Sequence, residues 1–90
     1  MKADKEKLTR KLKTVRGQIE GLIKMIENDR YCIDISTQLM SSISILKNVN
    51  KEILESHLKN CLKDSISKNN SEDIDKKIEE IIQIIEKISK

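Results

Sequence analysis

A chain of 90 residues is one small domain's worth of polypeptide, and its apolar content is lopsided, with 16 Ile and 8 Leu against a single aromatic residue, Tyr31. Pro, Phe and Trp are absent and Gly occurs only at 17 and 21, which excludes the turn-rich sequence of a sandwich or barrel. Charged and hydrophobic residues each make up 37%, a balance that suits long amphipathic helices rather than disorder.

Two further exclusions follow. No apolar run approaches the roughly 20 residues that span a bilayer, and the N-terminus lacks the apolar core of a signal peptide. The expectation is a single all-α domain over 1–90, soluble and cytoplasmic, with no membrane partner. The net charge of +3 is unevenly placed: residues 1–30 carry +4, residues 31–71 carry +1 and residues 72–90 carry −2. Lys7, Arg10, Lys11, Lys13 and Arg16 fall in a stretch without an acid, so either a polyanion partner or a solvated helix face is implied.

Helix 1 is predicted over about 5–27. Leu8, Leu12, Val15, Ile19, Leu22 and Ile26 alternate spacings of four and three, a heptad seam. Gly17 and Gly21 lie off that seam, and each lowers helix propensity by about 1 kcal/mol relative to Ala, so a close backbone approach is expected there. Asn28 and Asp29 read as its end. Helix 2 is predicted over about 32–65, with an apolar stripe through Ile35, Leu39, Ile43, Leu46, Ile53, Leu54, Leu58 and Leu62. The polar stretch 67–71 is a loop, Ser71 reads as an N-cap, and helix 3 runs over about 72–89 on a seam of Ile74, Ile78, Ile81, Ile85 and Ile88.

So long a helix 2 cannot cover its apolar stripe within so small a chain. Exposed in a monomer, it would form a larger patch than soluble proteins tolerate. The expected solution is a homodimer in which helices 1 and 2 of two chains form an antiparallel four-helix bundle, with helix 3 packed outside.

Three residues can do soft-donor chemistry: Cys32, His57 and Cys61. His57 and Cys61 stand at i and i+4 on one helix face, whereas Cys32 precedes His57 by 25 residues, about 38 Å along a continuous helix. An antiparallel pair of helices 2 crossing near residue 46 would set Cys32 of one chain beside His57 and Cys61 of the other, twice. Two thiolates and one imidazole suit Cu(I) in a low-coordinate site better than Zn(II), whose structural sites take four protein ligands. Buried apolar cysteines, an intersubunit disulfide and a surface histidine are the competing readings. A Cys–His nucleophile pair has no visible oxyanion hole or pocket, so no enzyme is expected.

The segments Leu12-Lys13-Thr14-Val15-Arg16-Gly17-Gln18, Met25-Ile26-Glu27, Asp29-Arg30-Tyr31-Cys32-Ile33-Asp34 and Thr37-Gln38, with His57-Leu58 and Cys61, resemble the copper-sensitive operon repressor family. The likeness runs over about 7–66 and resumes at Ile78-Glu79-Glu80-Ile81. It implies a helical dimer, commonly paired into a homotetramer, that represses transcription by binding operator DNA and lets go on sensing its inducer. Nickel and cobalt sensors add an N-terminal His that Met1-Lys2-Ala3-Asp4 lacks, formaldehyde sensors lack the second Cys, and persulfide sensors replace the His. The Cys32, His57 and Cys61 set therefore resembles that of the Cu(I) sensors, with one Cu(I) per protomer. Tyr31 and Glu80 match positions the family places around the ligands.

The basic residues Lys7, Arg10, Lys11, Lys13 and Arg16 imply phosphate contacts. A basic residue that the family often uses for DNA in mid helix 2 falls at Asn48, leaving Lys47 and Lys51 as substitutes. The expected function is repression of copper-resistance or efflux genes, relieved by Cu(I). The alternatives are a thiol- or persulfide-responsive repressor using Cys32 and Cys61, and a dimeric copper buffer with no DNA role.

Overall fold

A computed structural model describes Met1 and residues 3–88, with the backbone alone at Cys61 and Leu62. Among the described residues there are three helical runs and no strand. Helix α1 spans Lys5–Glu27 and α2 spans Cys32–Ser56; a π-helical turn, His57–Cys61, leads into α3, Leu62–Ser67, and α4 spans Ser71–Ile88. The all-α expectation holds, and no described helix is long and apolar enough to cross a membrane.

The second helical run departs from the expected uniform helix. It continues to Ser67 but carries the π turn within it. Asn60 explains part of this: its Nδ2 donates to the Ser56 carbonyl at 3.1 Å and to Ser56 Oγ at 3.3 Å. The side chain thus supplies a donor to a carbonyl at the point where the backbone register slips to i→i+5.

Helix ends are set by side chains and by two residues in the left-handed region. Asp4 caps α1 by accepting from the Lys7 backbone N–H. Past the end of α1, Asp29 takes φ 51°, Asp29 N–H donates to Ile26 O, and Arg30 N–H donates to Met25 O. Past α3, Asn69 takes φ 54°, with Asn69 N–H on Ile66 O and Asn70 N–H on Ser65 O. Both are Schellman endings made without glycine. The cap of α4 is Asn70 rather than Ser71: Asn70 Oδ1 accepts from the Asp73 N–H, and its carbonyl accepts from Ile74. Ser71 is already the first helical residue, and expected residue Ser89 lies outside the described residues.

The described chain forms two compact units. One is Asp4–Glu52, an antiparallel pair made by α1 and most of α2. Lys7 and Lys11 bond Glu52, Lys11 also bonds Asn48, and Gln18 bonds Ser42, so α2 partners fall in number as α1 partners rise. The covered face of α1 is Leu8, Lys11, Val15, Gln18, Leu22 and Met25; that of α2 is Ile35, Gln38, Ser42, Ile45, Val49 and Glu52. These are heptad faces, but they are not the predicted seams. On α1 only Leu8, Val15 and Leu22 belong to both, while Leu12, Ile19, Ile23 and Ile26 are exposed. On α2 the predicted Leu39, Ile43 and Leu46 are exposed, and the buried Ser42 donates to Gln18 Oε1 at 2.6 Å. Each helix therefore carries two faces, and the pair covers the more polar one. A Cβ built at Gly17 or Gly21 meets nothing within 4 Å, so the chain's own helices make no close approach there.

The other unit comprises Met1–Ala3 and residues 53–90. Here α4 turns Asp73, Ile74, Lys77, Ile81 and Ile84 inward, one face over from the predicted seam, and leaves Ile78, Ile82, Ile85 and Ile88 exposed. Lys77 takes the inward position because it has partners. It bonds Asp73 Oδ2 at 2.7 Å and the buried Ser65 Oγ at 2.8 Å, while Ser65 donates to the same carboxylate. The Lys77 bond, and then that of Ser65, holds the Asp73 carboxyl below its ordinary range.

Two outcomes follow. Asn69→Ala should cost about 1 kcal/mol in urea denaturation, whereas Asn69→Gly should not destabilise, because only Gly takes positive φ freely. The contribution of Asp73 should be complete above the ordinary Asp range and lost as pH falls through its depressed folded value. The melting-temperature gap between the wild-type chain and Asp73→Asn should therefore be open near neutral pH and close in acid; a gap that persists in acid would refute the assignment.

Candidate functional site

Cys32 is the first residue of α2, and its thiol is free and exposed. Tyr31, just outside the helix, contributes its carbonyl as the first acceptor, taking the Ile35 N–H at 3.2 Å, and leaves its ring 68% exposed. Helix capping by the backbone thus fixes Cys32 at the helix start and keeps its side chain accessible.

His57 opens the π turn and Cys61 closes it. The Cys61 side chain lies outside the described residues, so its ligand role stays an expectation. π turns inserted in α-helices recur at functional sites, and here one spans the two candidate donors exactly four residues apart. No local sequence cue announces it; Asn60 is the residue that sequence reasoning passed over.

The His57 side chain is 28% exposed, and its Nε2 lies 3.8 Å from Glu80 Oε2 of α4. Glu80 is 48% exposed. Ile53, Leu54, Ile81 and Ile84, with Met1 and Ser56, line a cavity of about 340 Å³ that His57 and Glu80 share. His57 and Glu80 thus face one another beside a largely aliphatic wall. Among the described residues no three His, Cys, Asp or Glu side chains converge. The donor chemistry nevertheless fits a soft monovalent ion: an exposed thiol, an imidazole with one nitrogen toward a carboxylate, and a second Cys in the same turn as the imidazole.

The basic residues divide into two groups. Arg10 and Lys13 border a shallow concavity on α1 with Lys5, Glu6 and Thr9; Arg16, Lys47 and Lys51 are exposed. Lys7 and Lys11 lie 3.1 and 2.9 Å from one oxygen of Glu52. Lys11 Nζ also donates to Asn48 Oδ1 at 2.5 Å. Hydrogen bonds from Lys11 and Lys7 hold the Glu52 carboxyl below its ordinary range. Asn48, the non-basic position in mid helix 2, is thus joined to a cation supplied by α1. Glu52 itself was not singled out from the sequence; only the antiparallel register, which sets residue 11 against 48 and 52, reveals it.

A family model described as a metal-sensitive transcriptional repressor matches residues 4–87. The chain is 37% identical to the copper-sensing transcriptional repressor CsoR of Bacillus subtilis, over 97% of this chain and 83% of that protein. Its fold matches the crystal structure of the copper-sensing repressor CsoR with Cu(I) from Geobacillus thermodenitrificans with a TM-score of 0.86 and 30% identity, covering 94% of this chain and 85% of that one. The nickel-responsive transcriptional regulator InrS shares the fold at a TM-score of 0.78 and 22% identity, covering 97% and 94%. The fold alone therefore does not choose the metal, and the donor residues must. With its full helical core matched by the family model, the chain belongs to the metal-sensitive transcriptional repressors.

Proposed function

We propose that this chain is a Cu(I)-responsive repressor that binds operator DNA when metal-free and releases it on binding one Cu(I) per protomer, derepressing copper-resistance or efflux genes in the cytoplasm. The observation that carries the metal assignment is the pairing of His57 Nε2 with Glu80 in a chain whose other soft donors are Cys32 and Cys61. A Cu(I) ion supplies a soft centre satisfied by two thiolates and one imidazole.

The remaining work falls to the chain. Cys32 begins α2 and His57 follows its last residue, and 25 helical residues rise about 38 Å. One chain cannot gather the three donors along that helix, so Cys32 of one protomer meets His57 and Cys61 of another. The exposed Leu12, Ile19, Ile23 and Ile26 of α1 and Leu39, Met40, Ile43 and Leu46 of α2 supply the apolar faces for an antiparallel four-helix dimer. Leu46 sits at the expected two-fold crossing. Further pairing to a tetramer would draw on faces such as Ile78, Ile82, Ile85 and Ile88.

Release follows from the second imidazole nitrogen. Were Cu(I) held by one nitrogen of His57, the other would be fixed as a donor and could give its hydrogen bond to Glu80, whose Oε2 lies 3.8 Å from Nε2. That bond biases α4, which carries Glu80, toward a conformation that fits DNA less well. Tyr31, beside Cys32, provides a hydroxyl near the other end of the same site in the dimer. Coupling of this kind is typically about 1–3 kcal/mol, or roughly five- to 150-fold in affinity.

Operator binding by reduced protein, with and without one equivalent of Cu(I), tests the reading. Copper should release the DNA; DNA binding that responds to a persulfide donor but not to Cu(I) would favour the thiol sensor, and copper binding without DNA binding the buffer. Glu80→Ala should bind Cu(I) with near-normal affinity yet stay on DNA, and normal release by that variant would rule out the His57–Glu80 route. Mixing Cys32→Ala chains with His57→Ala/Cys61→Ala chains should restore one tight Cu(I) site per heterodimer. Failure to restore any would rule out donors shared between protomers.

A further inference from the structure

The position of Glu52 bears on how DNA competes for this protein. Its carboxylate lies between two cations that the sequence assigns to phosphate contacts, with one oxygen 3.1 Å from Lys7 Nζ and 2.9 Å from Lys11 Nζ. A DNA phosphate also offers an anionic oxygen to lysine ammonium groups, so the carboxylate and the phosphate would compete for the same donors. Lys11 is not otherwise idle, since Asn48 Oδ1 accepts from it at 2.5 Å. The Asn48 contact holds the ammonium beside a concavity of about 340 Å³ lined by Lys11, Thr14, Ser44, Ile45 and Asn48. Side-chain exposures of 51% for Lys7 and 28% for Lys11 leave both reachable from solvent.

We infer that Glu52 is an internal phosphate mimic, an autoinhibitory counterion that occupies Lys7 and Lys11 in the free protein and must be displaced or screened when a DNA phosphate takes its place. The inference rests on the DNA-binding reading above and deepens it. Two lysines sharing one carboxylate present a net charge of +1 to DNA instead of +2. Each protomer on the duplex therefore neutralises about one phosphate fewer than its lysines allow, and the salt dependence is shallower in proportion. Because this effect acts through backbone charge, it is independent of base sequence.

The test measures binding of the full-length, reduced, metal-free protein to a mixed-sequence DNA duplex across a salt series. Glu52→Gln keeps the shape and removes the charge; Glu52→Asp keeps the charge and shortens the arm. Glu52→Gln should bind about five- to tenfold more tightly per contacting protomer near 0.1 M salt, with a log–log salt slope steeper by about 0.9. Glu52→Asp should remain close to the wild-type protein in both. Equal affinity and slope for Glu52→Gln and the wild type would overturn the inference, as would weaker binding by Glu52→Gln or tightening by Glu52→Asp to the same degree. A wild-type protein that binds no duplex at any salt would overturn the repressor reading itself, and this inference with it. Arg16→Ala separates the two further: loss of affinity there, with no effect at Glu52, leaves the DNA reading standing and removes the mimic.

Discussion

The chain has more apolar helix surface than it can cover alone, and most of its other features follow from that imbalance. Antiparallel pairing of α1 with α2 uses Leu8, Val15, Leu22 and Val49, and it also encloses Ser42, Gln18 and the edge of a charged cluster. The larger residues Leu12, Ile19, Ile23, Leu39, Ile43 and Leu46 are left facing outward. A polar intrachain face and a greasy external one reverse the usual arrangement of a soluble monomer. Polar pairs such as Ser42–Gln18 are satisfied only in one register, so they favour one alignment of the two helices, while the nonspecific burial is left to association. Association in turn is what would gather donors from both ends of α2.

Much of this was legible because heptad spacing and donor spacing are properties of sequence. The heptad spacing predicts helix 1 over about 5–27, and α1 spans Lys5–Glu27. The start of α2 at Cys32 is equally readable, but the loop expected over 67–71 is shorter, since Ser67 ends α3 and Ser71 begins α4. What periodicity could not do was choose between two faces of the same helix. On α4, an all-isoleucine stripe outscores one containing Lys77, yet Lys77 turns inward because Asp73 and Ser65 receive it. The π turn was also invisible, since its register slip depends on a side-chain amide meeting a freed carbonyl and not on hydrophobic order. For the candidate site, the family likeness points to Cys32, His57, Cys61, Tyr31 and Glu80, and the fold sets Glu80 Oε2 3.8 Å from His57 Nε2. Glu52 was not legible, because its meaning depends on which lysines lie across from it.

The proposed metal and DNA sites share a chemical logic. At each, a carboxylate waits beside a group whose occupancy changes: Glu80 beside an imidazole, Glu52 beside two ammonium groups. Neither contact is deeply enclosed, so neither is strong in isolation. Modest contacts are appropriate to a switch. A pair buried beyond the reach of its competitor would hold one state permanently, whereas partly exposed pairs can be exchanged.

Gly17 and Gly21 have a consequence for the life of a newly made subunit. Neither adopts positive φ, and neither makes room for a neighbour within the chain. Together they make α1 harder to form than an alanine-bearing helix by about 2 kcal/mol. For a subunit whose apolar faces await a second chain, that penalty ties folding to encounter, and apparent stability rises with protein concentration. At low copy number the solitary chain would spend more time open and be the first taken by proteases. Assembly would then act as quality control, setting a floor on how much of the regulator must be present before any of it persists.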